Sequence, residues 1–206
     1  MGTIATGTDW GGLARRPSVL FLVLVNLVPL VGVFAFGWDV GALMLLYWAE
    51  TVVIGLFNLP RLLTAGLGQG GPFALFGNLF LVAFFTVHFG MFNFGHFMFL
   101  RQMFDLPEFG RDLWFALGGL SLGHLFSLAV NWFGRGEYKA AKPNEQMFAP
   151  YGRVIVMHVV ILIGGTFADG TAGIAPLVLL VVLKTGADIA AHAASHGWIN
   201  MREQPA

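Results

Sequence analysis

Two histidines near the end of the chain, His192 and His196, are four residues apart in a segment that follows a strongly apolar run. Residues four apart on a helix lie on one face, so both imidazoles can bind the same metal ion. The chain has no cysteine, which leaves histidine and carboxylate as its ligand types. These ligands suit zinc. The alternative is a pair that bonds to lipid headgroups, backbone carbonyls or neighbouring side chains.

Further candidate ligands lie in other apolar segments of the chain. His158 is expected at the same membrane depth as His192, and His88 and His124 somewhat closer to the middle. We therefore predict a zinc site with His158, His192 and His196 as ligands, and with His88 and His124 in reserve. Such a metal would activate a bound water for hydrolysis of a lipid-like substrate. His88 and His124 on facing helices would alternatively suit haem.

Asp188 and Glu50 are the candidate general bases for this hydrolysis. Asp188 follows Lys184 by four residues, so the two can neutralise each other inside a membrane, and Glu50 at matching depth would complete a triad. A relay through these groups and the histidines instead predicts a proton-coupled transporter or an ion-conducting protein. A third possibility is a structural or accessory membrane subunit whose polar groups satisfy one another.

The composition requires a membrane around these residues. Hydrophobic residues make up 57% of the 206 residues and charged residues 11%, whereas soluble domains have roughly 45–50% and about 25%. A membrane-crossing helix needs about 20 mostly apolar residues. Six stretches qualify and predict an all-α bundle of six transmembrane helices in a single domain, at 17–36, 40–64, 73–100, 113–133, 153–168 and 174–195.

The lysines and arginines predict the orientation of this bundle. Eight of the eleven lie on the side that holds both termini, and only Arg101 and Arg111 lie on the other. Since cytoplasmic loops carry the excess of positive charge, both termini are expected in the cytoplasm. The first span is expected to be retained, because it is longer than a signal-peptide core of roughly 7–15 residues.

Composition and charge also limit the possible binding partners. The net charge is zero and the chain has no basic block, so we expect no nucleic acid as a partner. Membrane lipids are the expected neighbours, and a homo-oligomer is left open. Tyr47 and Trp48 lie in mid-span beside Glu50, which predicts either a lined pocket or hydrogen bonds to neighbouring helices.

Two motifs suggest a family. One is Tyr-Trp-Ala-Glu in "LLYWAETVVIGLFNLPRL", and the other is Pro-Tyr-x-x-Val-x-x-x-His in "MFAPYGRVIVMHVVILIGG". With them, most of the chain resembles a bacterial family of polytopic membrane proteins known only as a domain of unknown function. The resemblance implies a multi-pass protein of the bacterial inner membrane and brings no activity. Its signature positions here are Tyr47, Trp48, Glu50, Pro150, Tyr151 and His158.

A looser, chemical similarity is to the membrane hydrolases of the alkaline ceramidase and adiponectin-receptor type. Those proteins hold zinc with three histidines, two of them in a late His-x-x-x-His, beside an aspartate and a serine. This chain offers the same groups but has six predicted spans rather than seven and no matching early motif. The corresponding residues would be His192, His196, one of His88, His124 and His158, then Asp188, and Ser195 or Ser121.

Overall fold

The computed structural model describes residues 17–68, 71–108, 110–166 and 174–195. In these ranges all regular secondary structure is helical, and six helices are 16 or more residues long, as predicted. The fourth helix continues directly into a π-helix, Ser127–Gly134, and a 3-10 turn, Glu137–Lys139, follows it. The α-helices are α1 Pro17–Phe36, α2 Val40–Thr64, α3 Gly71–Met103, α4 Arg111–Phe126, the short α5 Pro143–Phe148, α6 Tyr151–Thr166 and α7 Ala175–Ser195.

Four described segments are long and apolar enough to cross a membrane: Val40–Thr64, Ala74–Met103, Leu113–Gly134 and Pro143–Ile163. Large apolar side chains also face outward along these helices, among them Phe76, Phe80 and Val87, each at least 70% exposed. Such a surface suits lipid and not water. Both observations indicate a multi-pass membrane protein.

The predicted fifth span starts at residue 153, and the helix that contains this position, α6, starts at Tyr151. The corresponding apolar segment begins at Pro143, because Ala149 keeps a right-handed helical conformation and joins α5 to α6. The first residues of this segment are polar enough to be read as loop in the sequence. As a consequence Arg153 lies inside the segment and not at its edge.

The chain forms two compact units: residues 39–177, and residues 1–38 together with 178–206. In the larger unit α2 packs against α3, α4, α5 and α6. A core of Leu62, Phe85, Phe89, Met147 and Val154 fills the space between α2, α3, α5 and α6. In the smaller unit the Trp38 ring lies so close to α1 that a Cβ on Gly32 would be 2.0 Å from it.

The end of α2 is closed by a side chain from α3. Asn78 is buried, and its amide nitrogen donates to the carbonyls of Leu63 and Ala65 at 3.0 and 2.8 Å. The last carbonyls of a helix have no partner within it, so this amide replaces water. At its start, α2 is capped by Asp39, whose side chain accepts from the amide of Ala42 at 2.7 Å.

Candidate functional site

The α3–α6 histidine interface consists of His88, Phe92 and His96 on α3 and Tyr151 and His158 on α6. The three α3 residues are four apart and the two α6 residues seven apart, so each set shares one helix face. His88 Nδ1 lies 2.8 Å from the Tyr151 hydroxyl, and His96 Nε2 lies 3.2 Å from His158 Nδ1. The Phe92 ring lies between the two pairs, 5.0 Å from His88 and 6.1 Å from His158 between ring centroids.

The His96–His158 pair is a direct contact between two imidazole rings. A neutral imidazole has one N–H and one acceptor nitrogen, so two neutral rings form this hydrogen bond with one donor and one acceptor. His96 is buried at 3% exposure, whereas His158 is exposed. Protonation of both rings would break the hydrogen bond and place two positive charges side by side.

Glu50 forms an ion pair with Arg153 on α6. Both side chains are largely buried, with exposed fractions of 22% and 25%. The Arg153 guanidinium also lies over the ring of Tyr47, 4.7 Å from its centroid. Arg153 can reach Glu50 because it lies within the fourth apolar segment, and this placement gives the carboxylate a partner other than the expected Lys184.

The predicted pair of Lys184 and Asp188 is confirmed, with 2.8 Å between Nζ and Oδ2. Its third member among the described contacts is Asn26 of α1, whereas the expected triad with Glu50 stays a prediction. The Asn26 amide accepts from Lys184 at 2.6 Å and donates to Asp188 at 3.1 Å. A neutral amide offers both a donor and an acceptor, and so satisfies both members of an ion pair without adding charge.

A cavity of about 120 Å³, called the polar cavity below, has four polar lining residues from α2, α4 and α5: Asn58, Arg61, His124 and Gln146. The rest of its lining is apolar and consists of Ile54, Phe57, Ala149 and Pro150. Asn58 and Gln146 bond to each other twice, through the Gln146 side chain and its backbone carbonyl. His124 stacks on the ring of Phe57, at 5.9 Å between centroids. The polar cavity therefore joins three helices through side chains that carry many N–H donors.

Arg61 is held in this cavity by the π-helix. Its Nη2 donates to the Ser127 hydroxyl at 3.0 Å, and its guanidinium lies 5.7 Å from the centroid of Trp132. Trp132 is buried, and its indole donates to Thr64 at 2.8 Å. The wider π-helical turn places Ser127 and Trp132, five residues apart, on the side that faces Arg61.

The histidines proposed as metal ligands have other neighbours where they are described. Among the described side chains, no group of three or more His, Asp or Glu is close enough to hold a metal ion. His88, His124 and His158 contact Tyr151, Phe57 and His96, respectively. The His192 side chain and all of His196 lie outside the described residues, so the zinc site stays a prediction.

Sequence reasoning missed three partners in these contacts. These are His96, Arg153 and Arg61, none of which was among the candidate site residues. The signal that could have found the first is the match between the eight-residue spacing of His88 and His96 and the seven-residue spacing on α6. For Trp48, the hydrogen-bond interpretation is confirmed, because its indole donates to the Asn93 carbonyl at 2.8 Å.

An all-α bundle with four candidate membrane spans and polar side chains paired between helices defines the chain as a multi-pass membrane protein. The chain belongs to a family described as a family of unknown function (DUF6498), which matches residues 10–204. No curated protein and no solved structure matches it. The family agrees with the resemblance to a domain of unknown function and brings no activity.

Proposed function

We propose that the protein is a proton-coupled membrane transport protein with six transmembrane helices and both termini in the cytoplasm, located in the bacterial inner membrane. The observation that supports this proposal is the hydrogen bond between His96 and His158 across two apolar helices. Ionisable groups at membrane depth are costly, and they are common in proton pathways. Histidine is the side chain whose ordinary pKa lies closest to physiological pH.

Protons act on the packing of α3 against α6. With both rings neutral the hydrogen bond holds the helices together. With both rings charged, two unit charges about 4 Å apart repel by about 4 kcal/mol at an effective dielectric constant of about 20. This repulsion is larger than the coupling free energy between two allosteric sites, which is typically ~1–3 kcal/mol. Proton uptake therefore opens the interface, and proton release closes it.

A second candidate function, a structural or accessory subunit, is supported by the mutual pairing of the polar groups. Glu50 pairs with Arg153 and Lys184 with Asp188, and the neutral amides of Asn58 and Gln146 bond to each other. A structural role requires that the helices keep their packing when the pH changes. The two candidates therefore differ in a measurable property.

The test is the distance between α3 and α6 as a function of pH. Because the chain has no cysteine, Phe94→Cys and Ile155→Cys introduce two unique sites for spin labels, and both native side chains are more than 60% exposed. In lipid nanodiscs, electron–electron distance measurements are expected to show a longer population at acidic than at alkaline pH.

His158→Gln is expected to abolish this response, because an amide keeps the hydrogen bond and does not titrate. Thr86→Val is the matched control on α3, since the described hydrogen bond of its hydroxyl stays within that helix, to the carbonyl of Val82. A distance that is independent of pH in the wild type would contradict proton coupling and favour the structural role. In proteoliposomes, a substrate-dependent proton flux that His158→Gln removes would then identify the solute.

A further inference from the structure

Arg61 carries a charge that no described carboxylate neutralises. The described ion pairs are those of Glu50 with Arg153, Glu145 with Lys142, and Asp188 with Lys184. Arg61 lines the polar cavity, and Glu50 is already paired with Arg153. The described lining of the cavity therefore holds one positive charge and no carboxylate. In a low-dielectric environment such an excess favours binding of an anion.

The polar cavity also has hydrogen-bond donors in excess. Arg61 has five N–H groups, of which one donates to Ser127, and its Nε is buried with no partner among the described residues. Neither ring nitrogen of His124 takes part in a described hydrogen bond, although Phe57 orients the ring. The amides of Asn58 and Gln146 each use one N–H for the other residue and keep a second one.

We propose that the polar cavity binds a phosphate group, with Arg61 as its principal ligand and His124, Asn58 and Gln146 as additional donors. Donors converge from three helices, which suits a tetrahedral group with oxygens in several directions better than a planar carboxylate. The arginine fork matches phosphate oxygens in pairs. Ser127 and Trp132 hold the guanidinium in place, which reduces the entropy lost on binding.

Phosphate in a membrane protein comes from a lipid headgroup or from a soluble phosphorylated compound, and the same donors recognise both. The end of α2, where Arg61 lies, is also where the 3-10 turn with Lys139 approaches, at 3.1 Å from a Cβ built on Gly68. Positive charge at this end raises the local concentration of either anion. The site uses none of the residues of the α3–α6 histidine interface, so phosphate binding does not depend on proton coupling.

The test uses the full-length protein in an uncharged detergent and two titrations followed by calorimetry. One titrant is inorganic phosphate, and the other is short-chain phosphatidylglycerol with a zwitterionic lipid as its baseline. We expect Arg61→Gln to weaken binding by about tenfold to a hundredfold, which corresponds to the loss of a hydrogen-bonded charge contact. Arg135→Gln is the matched control, because Arg135 is exposed at the same end and does not line the cavity.

The pattern of responses identifies the source of the phosphate. If inorganic phosphate binds and Arg61→Gln weakens its binding, the ligand is a soluble phosphorylated compound. If only phosphatidylglycerol binds in an Arg61-dependent way, the ligand is a lipid headgroup. If Arg61→Gln does not fold, His124→Gln is used in its place, because it removes a cavity donor without loss of a described hydrogen bond. Weaker binding of the titrant to this variant than to the wild type is then the expected result. The proposal is overturned if neither titrant binds or if the cavity variants bind as tightly as Arg135→Gln.

Discussion

Glu50 and Arg153 together give the apolar bundle a charged contact at a tolerable free energy. Each ionised residue costs about 2.5–3.5 kcal/mol at the centre of a membrane-crossing helix. In the folded protein the two charges neutralise each other, and the Tyr47 ring provides a further favourable surface for the guanidinium. Glu50 belongs to the Tyr-Trp-Ala-Glu motif and Arg153 follows the Pro-Tyr turn. The two motifs are thus joined by a direct contact between α2 and α6.

We predict that Glu50→Gln destabilises the fold by roughly 1–3 kcal/mol, since it leaves Arg153 largely buried without a counter-charge. Loss of one partner of a fully buried pair costs about 3–5 kcal/mol, and partial exposure reduces this figure. The double variant Glu50→Gln with Arg153→Gln is expected to recover part of the loss. Thermal unfolding in detergent measures each effect.

The matched control is Glu145→Gln, whose ion pair with Lys142 has more than 70% of both side chains exposed. Exposed pairs contribute about 0–1 kcal/mol, so the midpoint should change little. A charge exchange between positions 50 and 153 should restore stability, whereas an exchange between positions 50 and 184 should not. The reverse result would mean that Lys184 is the true partner of Glu50.

At the level of elements, α2 and α3 approach closely at Gly55, because this residue has no side chain where it faces the ring of Phe89. A Cβ added to Gly55 would lie 2.2 Å from the Phe89 ring, well inside van der Waals contact. Phe89 cannot easily move, because it is buried and belongs to the core formed with Leu62 and Phe85. Small residues at helix interfaces allow this kind of approach in membranes, where hydrophobic association is weak.

We therefore predict that Gly55→Val separates α2 from α3 and lowers the yield of monodisperse protein, at a cost of about 1–3 kcal/mol for overpacking. Gly77→Val, on α3, is the matched control, because nothing lies within 4 Å of a Cβ at that position. Size-exclusion chromatography of the detergent extract at increasing temperature compares the two. Equal loss of the monodisperse peak in both variants would show that valine destabilises these helices whether or not it contacts Phe89.

The helices were predictable from hydropathy, but their pairings were not. The first two begin and end at the predicted residues because charged or polar residues follow the apolar runs closely. The π-helix after Phe126 keeps the same apolar texture as an α-helix, so nothing in the composition distinguishes it. Rotation of each helix about its axis decides that Arg153 meets Glu50 and that Asn26 meets Lys184. Hydropathy says little about that rotation.

At the level of the larger unit, the contacts fix the relative directions of its helices. The helices α2 and α3 are antiparallel, because Trp48 contacts Asn93 whereas the later Leu63 contacts the earlier Asn78. In contrast, α3 and α6 are parallel, since His88 contacts Tyr151 and the later His96 contacts the later His158. Such alternation is what successive crossings of one membrane produce.

Alternation places the connection after α3 and the connection after the π-helix on opposite sides of the membrane. From the charge distribution we predict that the second faces the cytoplasm. We predict that Ala140→Cys is protected from a membrane-impermeant maleimide in intact bacterial cells, whereas Glu108→Cys is labelled. Both native residues are exposed, so accessibility to the reagent and not burial decides the result.

The wild-type chain has no cysteine and serves as the unlabelled control. Labelling of both variants after permeabilisation shows that each thiol reacts once the reagent reaches it. If Ala140→Cys reacted in intact cells and Glu108→Cys did not, the orientation would be inverted. Equal labelling of the two in intact cells would contradict the alternation itself, since the stretches Ala74–Met103 and Leu113–Gly134 would then not each cross the membrane once.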